Sequence, residues 1–522
     1  MTTNDDDARD AALRERLLDA LKVLREAAAD RALLAVLDEE ERKELMIAAG
    51  HVSRPDRNEI RELLKALRKR ERDAAKRADR AVLDGTGIRA LRRAPVFPTP
   101  TPPRAPEPPA LLAGGSIAAR LDAPSHEAPP PEGRTLNEPR KCYVCKAPFT
   151  TVHFFYDQMC GPCAELNWDK RNQSADLRGR VALVTGARVK IGYHAAIKLL
   201  RAGARVIVTT RFPHDAAMRY AREEDFEAWR DRVEVYGLDL RHTPSVEAFA
   251  AHVGARYERL DFLINNACQT VRRPPGFYRH LMDAERATEM PEHVRPLLAG
   301  HDALRRSDAL ARAEAGGRPV GLLASAALSQ VALTDEDHRA ELHLFPDGKL
   351  DPDLQQVDLR GRNSWRLTLH EVSTVELLEV QLVNAIAPFV LDARLKPLML
   401  RVPTRDKHIV NVSAMEGQFY REHKTDKHPH TNMAKAALNM LTRTSAADYV
   451  KDGIHMNSVD TGWVTDEDPI EIAKRKQEEH GFHPPLDVVD GAARIVDPIF
   501  DGLRTGRHVW GLFLKDYRAV PW

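Results

Sequence analysis

The stretch "VTGARVKIG", Val184–Gly192, decides the fold of this 522-residue chain. It follows the apolar run "RVAL" and precedes "YHAAIKLLRAGA", in which apolar residues recur at helical spacing. Glycine at 186 permits a sharp turn, and glycine at 192 permits close packing of the helix on the strand. The helix N-terminus would then face a pyrophosphate, so strand, turn and helix together predict a nucleotide site.

The same alternation of strand and helix continues through residues 176–522. Further apolar strands are "RVIVTTR", "RVEVYGLDL", "LDFLINNA", "KHIVNVSA" and "IHMNSVD", with helical patterns between most of them. Continuous apolar strands with crossover helices predict an α/β fold, with a parallel sheet that helices cover on both faces.

Three regions of different composition precede this domain. Residues 1–93 are rich in Ala, Leu, Arg and Glu and predict a helical module. Residues 94–138 are rich in proline and predict an extended linker that cannot bury a core. Residues 139–175 hold four of the five cysteines. The sequence therefore predicts four segments, the last of which is the large α/β domain.

The helical module carries two leucine-rich stripes and a basic segment. From Arg54 to Arg93 there are 14 Lys/Arg against 7 Asp/Glu. A basic helix could contact nucleic acid or lipid headgroups. A solvated helical hairpin or an oligomerisation coil is the preferred interpretation, because acidic residues are interleaved with the basic ones and no aromatic residues are placed to stack on bases.

The cysteines follow the pattern C-x2-C, a 14-residue spacer, then C-x2-C, through Cys142, Cys145, Cys160 and Cys163. Four thiolates complete a closed tetrahedral shell around Zn2+, so the predicted zinc site is structural. A redox C-x-x-C pair or unrelated thiols are the alternatives. His153 in the spacer is interpreted as a surface or packing histidine. The aromatic run "HFFY" would form the only core of this zinc knuckle, which would dock on a partner or on the following domain.

Charge and apolar content narrow the class of protein. The formal net charge is +1, which indicates no polyanionic partner for the whole chain. The acidic start "MTTNDDDARD" is not a secretory signal, and no run approaches the ~20 apolar residues of a membrane span. Clustered cysteines favour a metal site over disulfides, so we expect a reducing, cytoplasmic location.

Ordered motifs along the last domain resemble the short-chain dehydrogenase/reductase (SDR) superfamily. The matching stretches are "TGARVKIG", "LDL", "NNA", "VNAIAPF", "IVNVSAMEG", "NMAKAAL" and "NSVDTGW". The resemblance covers residues 178 to about 270 and 375 to about 465. It implies a doubly wound Rossmann sheet of about seven parallel strands, an NAD(P)-dependent oxidoreductase, and assembly as a homo-oligomer.

The resemblance also implies which residues hold the cofactor. The family turn is T-G-x-x-x-G-x-G, and Lys190 replaces its middle glycine, much as an arginine does in the pteridine-reductase-like branch. Thr210 stands where NAD-preferring members carry an acid, so NADP(H) is favoured over NAD(H), with cations to hold a 2'-phosphate. Asp239 and Leu240 would border the adenine, and Asn265 would brace the sheet. The predicted cofactor-binding residues are Gly186, Arg188, Lys190, Ile191, Gly192, Arg211, Asp239, Leu240, Asn265 and Lys435. The alternative for the cations is solvated loop charge.

The catalytic set of the family is altered in this chain. The family uses Asn, Ser, Tyr and Lys, and the resemblance assigns Asn384 and Lys435 to the first and last of these. Ala414 stands at the serine position and Thr431 at the tyrosine position. A threonine hydroxyl is far less acidic than a phenol, so a proton donor is missing.

The segment before Thr431 offers replacements. It is about four residues longer than is usual for the family, and Tyr420 or His430 could supply the proton. His423 and His428 lie in the same segment, and the alternative for each residue is that it lines a loop that covers the cofactor. The catalytic candidates are therefore Asn384, Lys435, Thr431 and Tyr420.

An insertion at about 285–370 is the second departure from the family. It enters beside the C-terminal ends of the strands, where ligands bind, and is expected to be a lid or a partner surface. Arg272, Arg273 and Tyr278, just before it, could meet an acidic substrate.

Two functions remain open from the sequence. The first is an NADPH-linked carbonyl or alcohol oxidoreductase with a changed acid. The second is an inactive NADP(H)-binding scaffold or redox sensor that engages a protein partner through the N-terminal modules. Association with nucleic acid through the zinc knuckle and the basic helix is a weaker third interpretation, which a salt-dependent binding assay would test.

Overall fold

The computed structural model describes residues 2–102, 134–287, 289–314, 324–338, 342–420 and 424–522. The chain forms two compact units, Met1–Ala78 and Asp79–Trp522. Most of the predicted linker, residues 103–133, and His423 lie outside the described residues.

The first unit is helical, as its composition predicts. It contains α1 (Thr2–Ala29), α2 (Glu39–Ser53) and most of α3 (Arg57–Asp84), with a 3-10 turn at Arg31–Val36. Asp38 caps α2 by accepting the backbone N–H of Glu41, whose side chain accepts that of Asp38. None of the described side chains in this unit is buried. The helices are thus fixed by local hydrogen bonds and capping, and their leucine stripes face solvent.

The second unit begins with the end of α3 and with the four-cysteine region. This region contains α4 (Gly87–Arg93), β1 (Thr135–Lys141), β2 (Pro148–Thr151) and α5 (Gly161–Asn172), and β1 pairs antiparallel with β2. Leu83 and Ile88 pack into its core. The sequence assigns residues 79–93 to the helical module, whereas these two side chains place them in the second unit.

An eight-stranded sheet forms the centre of the second unit. Its order is β10-β9-β8-β7-β6-β3-β4-β5, and every neighbouring pair is parallel except β9 and β10. The strands are β3 (Val181–Thr185), β4 (Arg205–Thr210), β5 (Val233–Gly237), β6 (Phe262–Asn265), β7 (Lys407–Ser413), β8 (Ile454–Asp460), β9 (Phe513–Lys515) and β10 (Arg518–Val520).

Helices cover both faces of the sheet, which confirms the predicted doubly wound fold. The described helices of this part of the chain are α6 (Lys190–Arg201), α7 (Pro213–Tyr220), α8 (Thr243–Arg256), α9 (Pro275–Tyr278), α10 (Met282–Arg286), α11 (Arg295–Glu314), α12 (Ser325–Leu328), α13 (Asp335–His338), α14 (Thr374–Gln381), α15 (Ala387–Leu400), α16 (Pro429–Tyr449), α17 (Ile470–His480) and α18 (Val488–Thr505). Along β3, Ala182 and Val184 join the core beneath α6 and α18, whereas Leu183 joins the core beneath α8 and α15. This alternation with period two lets one buried strand serve two hydrophobic layers.

The helical stretch Thr374–Leu400 differs from the expectation that no segment is apolar enough to cross a membrane. By length and composition alone it passes that test, and half of its most apolar window is buried. Leu391, Leu395 and Leu398 pack in the core against the sheet. A helix buried in a protein core is as apolar as a membrane span, because both are removed from water. The length and composition of Thr374–Leu400 are therefore only weak evidence for a membrane span.

The described part of the insertion has two roles in the fold. Leu297 and Leu298 of α11 pack in the same core as β4 and β5, at the outer edge of the sheet. Residues 351–363 instead approach the C-terminal ends of the strands, where they line a cleft. The insertion therefore enters where the sequence places it.

Candidate functional site

A cleft of about 510 Å3 opens at the C-terminal ends of β3, β4 and β5. It lies where the strand order reverses, between β3 and β6, which is where open α/β sheets bind ligands. The turn after β3, the ends of β4 to β6, the insertion, and the segment after β8 all line it. The predicted residues on its wall are Gly186, Arg188, Lys190, Ile191, Gly192, Arg211, Asp239 and Leu240.

The turn after β3 has the close contacts that its glycines predict. Gly186 has φ of +67°, and a Cβ there would lie 2.8 Å from the Cα of Ala267. A Cβ at Gly192 would lie 2.2 Å from Nδ2 of Asn266. Side chains at these positions would push the turn and α6 away from the strand ends. The turn is thus a cradle whose backbone N–H groups, at the start of α6, can face an anionic ligand.

Lys190 begins α6 on the cleft wall, and its φ of +55° is the left-handed conformation for which the family uses glycine. Burial by itself would lower the pKa of this ammonium group, but the carboxylates of Glu467, Asp353 and Asp351 raise it. Lys190 is therefore held charged beside the position of a ligand phosphate.

Arg188 and Arg211 differ in how far they are free to bind a ligand. Arg188 is buried and donates to Asp215 at 2.7 Å, so its charge is already paired inside the protein. Arg211 follows Thr210 at the end of β4, lies 4.4 Å from the centre of the Tyr278 ring, and donates to the Tyr278 hydroxyl at 2.5 Å. Both cations line the cleft, but only Arg188 has its charge facing a carboxylate, since the partner of Arg211 is a neutral phenol.

The cleft wall after β5 includes Arg241, which the sequence did not single out. Asp239 is buried, and Arg241 donates to both of its carboxylate oxygens. Burial alone would raise the Asp239 pKa, but the Arg241 guanidinium lowers it. Arg241 also donates to Glu379 at 2.8 Å. Asp239 is thus held ionised, while Leu240 lies beside it on the cleft wall.

Asn265 lies below the cleft rather than on its wall. Its Nδ2 donates to Asp392 and to Asn411, each at 2.8 Å. These contacts tie β6 to β7 and to α15, which agrees with the bracing role that the resemblance implies. Burial raises the pKa of Asp392 to about 7.

The predicted catalytic residues do not converge on the cleft. Among the described residues on its wall, none is Asn384, Lys435, Thr431 or Tyr420. Lys435 is buried and donates its Nζ to the Val412 carbonyl at 2.7 Å. Asn384, in a π-helical turn at Leu382–Ile386, bonds both backbone groups of Gln269. Lys435 is therefore directed onto the backbone of β7, and Asn384 fixes Gln269, which does line the cleft.

The altered positions are equally engaged elsewhere. The Thr431 hydroxyl donates to the His428 carbonyl at 2.7 Å, where it stabilises the first turn of α16. Ala414 offers no hydroxyl. Ser413, one residue earlier, is buried on β7, and its Oγ has no partner among the described residues. Among the described residues, the positions of the family's serine and tyrosine therefore supply no hydroxyl to the cleft wall.

The candidate proton donors before and at the start of α16 differ in exposure and in their contacts. The Tyr420 side chain is 74% exposed, so it is turned to solvent. His428 stacks on Trp365 of the insertion with ring centroids 3.8 Å apart. His430 is buried, and its Nε2 lies 3.3 Å from Oε1 of Glu376. The interaction with His430 counters the effect of burial and lowers the pKa of Glu376.

A buried ionic network ties the insertion to the rim of the cleft. Arg272 donates to both carboxylate oxygens of Asp337, at 2.7 and 2.6 Å, and to Glu379 at 3.1 Å. Arg273 pairs with Asp358. Of the three residues expected to meet an acidic substrate, Arg273 and Tyr278 lie on the cleft wall, whereas Arg272 is buried in this network. Glu467, the carboxylate that raises the Lys190 pKa, was not a predicted site residue. The acidic run "TDED" at 465–468 is the sequence signal that could have indicated it.

The four cysteine sulfur atoms come together as the spacing predicts. All four lie within 4.8 Å of one another, and the Sγ atoms of Cys145 and Cys160 are 3.6 Å apart. Tetrahedral ligation with Zn–S bonds of ~2.3 Å requires sulfur separations of about 3.8 Å. The set of Cys142, Cys145, Cys160 and Cys163 therefore fits one metal ion.

The environment of this cluster corrects part of the sequence interpretation. His153 is buried, and its Nδ1 accepts the N–H groups of Phe155 and Tyr156, so it is a packing residue. The aromatic run is not the only core, because Leu486 and Val488 of the α/β domain belong to the same buried cluster. The region thus docks on the following domain, which supplies apolar surface that so short a segment lacks.

Comparison with known proteins agrees with this architecture. The short chain dehydrogenase family matches residues 180–287, and the enoyl-(acyl carrier protein) reductase family matches residues 362–484. An uncharacterized protein of Acanthamoeba polyphaga mimivirus is 32% identical over 374 residues, which cover 69% of this chain and 71% of that protein. Dehydrogenase/reductase SDR family member 13 of Bos taurus is 36% identical over 137 residues, or 23% of this chain and 36% of the bovine protein.

A solved structure aligns with part of this chain at low identity. The NADPH-bound carbonyl reductase from chicken fatty liver aligns with a TM-score of 0.38 and 18% identity, covering 66% of this chain and 100% of that one.

With the sheet, the glycine turn and these family matches in place, the chain belongs to the short-chain dehydrogenase/reductase superfamily. This family consists of oxidoreductases. Because the chain spans only about a third of the bovine relative, activity and substrate are taken up below as proposals.

Proposed function

We propose that this chain binds NADP(H) in the cleft and acts as an oxidoreductase on a carbonyl or alcohol substrate. The observation that carries the proposal is the turn from Gly186 to Gly192, which opens the N-terminus of α6 into the cleft beside charged Lys190. A helix N-terminus and a cation together favour a pyrophosphate.

The choice of NADP(H) over NAD(H) is supported by the end of β4. Thr210 offers no carboxylate to ribose hydroxyls, and the Arg211 guanidinium on the cleft wall could hold a 2'-phosphate. Arg188 lends less support than Arg211, because it is buried and pairs with Asp215, a carboxylate that it shares with Arg219.

A bound NADPH would supply hydride, so the protein must supply a proton. We infer that His430 does so, rather than Thr431 or Tyr420. None of the three lies on the described cleft wall, so the first turn of α16 has to move for His430 to reach a substrate. His430 precedes the family's tyrosine position by one residue, is buried, and is backed by the carboxylate of Glu376 at 3.3 Å. An imidazole that a carboxylate orients is suited to proton transfer near neutral pH.

A second candidate function, a scaffold that binds NADP(H) without turnover, is favoured by a specific observation. The Lys435 Nζ is bound to the Val412 carbonyl, and the Thr431 hydroxyl is bound to the His428 carbonyl. In this arrangement neither side chain lies on the described cleft wall, and the one hydroxyl proton of Thr431 is already donated to the backbone.

Nucleotide titration followed by single-turnover oxidation of NADPH with a carbonyl panel tests both functions. An enzyme would bind NADPH and oxidise it, and His430→Gln would slow oxidation about 100-fold while leaving NADPH affinity unchanged. Tyr420→Phe is the matched control and should oxidise NADPH at the wild-type rate. Tight binding with no oxidation would favour the scaffold, and failure to bind either nucleotide would contradict both.

We also propose that the four-cysteine cluster holds a structural Zn2+. Support comes from four sulfur atoms within 4.8 Å and from the absence of a fifth protein ligand among the described residues. Four thiolates leave no open coordination position for catalysis.

For partners and location, we propose a cytoplasmic homo-oligomer whose N-terminal unit contacts protein. The support is physical. The first unit exposes Leu13, Leu17, Ile60 and Leu63 by 44 to 63%, and its described residues bury no side chain of their own. Apolar stripes of this kind gain stability when another helix covers them.

A further inference from the structure

The segment after β8, residues 461–469, forms one wall of the cleft, and we call it the cleft loop. Its residues Thr465 to Pro469 line the cleft. Glu467 is the main carboxylate that keeps Lys190 charged, and it also receives an interaction from Arg273. The position of this loop therefore sets the charge that a bound phosphate would meet.

The opposite side of the cleft loop packs against the four-cysteine region. Val464 belongs to the same buried cluster as Cys142 and Cys163. Ile191, from the glycine turn, packs against that cluster too. One hydrophobic cluster thus contacts two walls of the cleft and three of the four cysteines, since Cys160 packs against it as well.

Tyr143 provides the polar link between these parts. It lies between Cys142 and Cys145, and its hydroxyl accepts the backbone N–H of Trp463 at 3.0 Å. The Lys515 ammonium lies 5.7 Å from the centre of its ring. The hydroxyl satisfies a donor at the first turn of the cleft loop, 320 residues away along the chain.

The backbone of the cleft loop depends on this neighbourhood. Gly462 has φ of +76°, and a Cβ there would lie 2.5 Å from Cδ1 of Leu486 and 3.2 Å from the Tyr143 hydroxyl. Leu486 in turn donates its N–H to the Trp463 carbonyl at 3.3 Å. Trp463 is therefore held through both backbone groups, one by Tyr143 and one by the core that the cysteine region shares.

We propose that the four-cysteine region positions the cleft loop, with Tyr143 as the positioning residue. Metal ligation at Cys142 and Cys145 fixes the turn that carries Tyr143, and Tyr143 then fixes Trp463 and the loop behind it. In this way the cysteine region contributes to nucleotide affinity without touching the ligand. The choice of NADPH as probe rests on the proposed function, whereas the contact itself does not.

The test compares Tyr143→Phe with the wild-type chain by amide hydrogen exchange and by NADPH titration. Loss of the hydroxyl leaves the Trp463 N–H unpaired. The amides of residues 463–470 should then exchange about tenfold faster, and NADPH should bind about fivefold more weakly. The thermal midpoint should stay close to wild type, because only one hydrogen bond at the edge of the core is lost.

Tyr257→Phe is the matched control. Its hydroxyl bonds Tyr236 at 3.2 Å, at the far edge of the sheet, so this variant also loses one tyrosine hydroxyl but should leave both the loop and the affinity unchanged. Cys145→Ser, which removes an exposed ligand, should speed exchange in the same residues as Tyr143→Phe does.

The two proposals fail in different ways. Wild-type exchange rates in residues 463–470 of Tyr143→Phe would overturn the positioning role, whatever nucleotide binds. A wild-type chain that binds neither NADPH nor NADP+ would overturn the proposed function, and the exchange measurement would still decide the role of Tyr143.

Discussion

Lys190 combines a backbone cost with an electrostatic gain at one residue. Its φ of +55° lies in the region where a side chain is strained, yet its ammonium group faces the cleft beside Glu467. The family glycine would avoid the strain and lose the charge. The two effects can be separated because Lys190→Gly removes both the strain and the charge, whereas Lys190→Met removes only the charge.

We expect Lys190→Gly and Lys190→Met to bind NADPH about tenfold more weakly than wild type, since both lack the cation. Lys190→Gly should be more stable than Lys190→Met by about 1 kcal/mol, because glycine adopts the left-handed region without strain. Calorimetric titration and urea unfolding measure the two quantities. Equal stability of the variants would contradict the strain, and wild-type affinity in both would contradict the phosphate role.

Asp392 makes stability depend on pH. Burial raises its pKa from 3.8 to about 7, so the folded state holds a proton that the unfolded state has already lost above pH 4. Stability from this group is therefore complete below pH 4 and is lost as pH rises to 7. The Asp392→Asn variant has no carboxyl group to ionise at this position. Between pH 5 and pH 7 its free energy of unfolding should therefore fall by about 2 kcal/mol less than that of the wild type. Urea unfolding at several pH values checks this, and identical slopes in both proteins would be contrary to it.

At the scale of elements, the insertion is attached to the sheet by charge rather than by apolar packing alone. Arg272 lies between Asp337 of α13 and Glu379 of α14, and all three side chains are buried. Removing one member of such a group leaves the others unpaired in a medium of low dielectric constant.

Arg272→Gln should therefore lower the free energy of unfolding by about 3 kcal/mol, because buried Asp337 loses its cation and Glu379 keeps only Arg241. Arg394→Gln is the control. It breaks the exposed pair with Glu247, where solvent screens the charges, and should leave the unfolding midpoint unchanged. Equal effects of the two substitutions in urea unfolding would show that the network does not hold the insertion.

The four-cysteine element offers a direct measurement of its metal. We expect about one zinc per chain by elemental analysis, loss of that zinc in Cys145→Ser, and retention in Cys268→Ser, whose thiol lies outside the cluster. Removal of zinc by a strong chelator should lower the thermal midpoint of the wild type, because ligation energy is part of the folding energy. A metal-free wild type that unfolds at the same temperature would rule out a structural zinc.

At the scale of the whole molecule, the N-terminal unit lacks a core of its own, because none of its described side chains is buried. Leu17→Glu together with Leu64→Glu places charges on both exposed stripes and should lower the association state measured by sedimentation equilibrium. Val36→Glu is the matched control, because Val36 is 86% exposed and lies outside both stripes. Wild type that sediments as a monomer at micromolar concentration would exclude self-association through these helices.

The fold could be predicted from sequence because its signals are local. The apolar strands, the glycine turn and the C-x2-C pairs each depend on residues a few positions apart, and each appears in the structure where its pattern placed it. The candidate site could be predicted only in part. Arg211 and Arg188 are equivalent in sequence, and only the contact of Arg188 with Asp215 distinguishes them.

The sequence by itself determined a doubly wound α/β domain with a nucleotide turn, a four-thiol cluster, and the absence of the family's serine and tyrosine. The tertiary structure alone decided that Lys435 is directed onto β7, that Arg272 lies between Asp337 and Glu379, and that Tyr143 reaches Trp463. The physical reason is distance along the chain. Periodicity and spacing are set by neighbouring residues, whereas pairing of charges and hydrogen bonds between distant segments is settled only when the core brings them together.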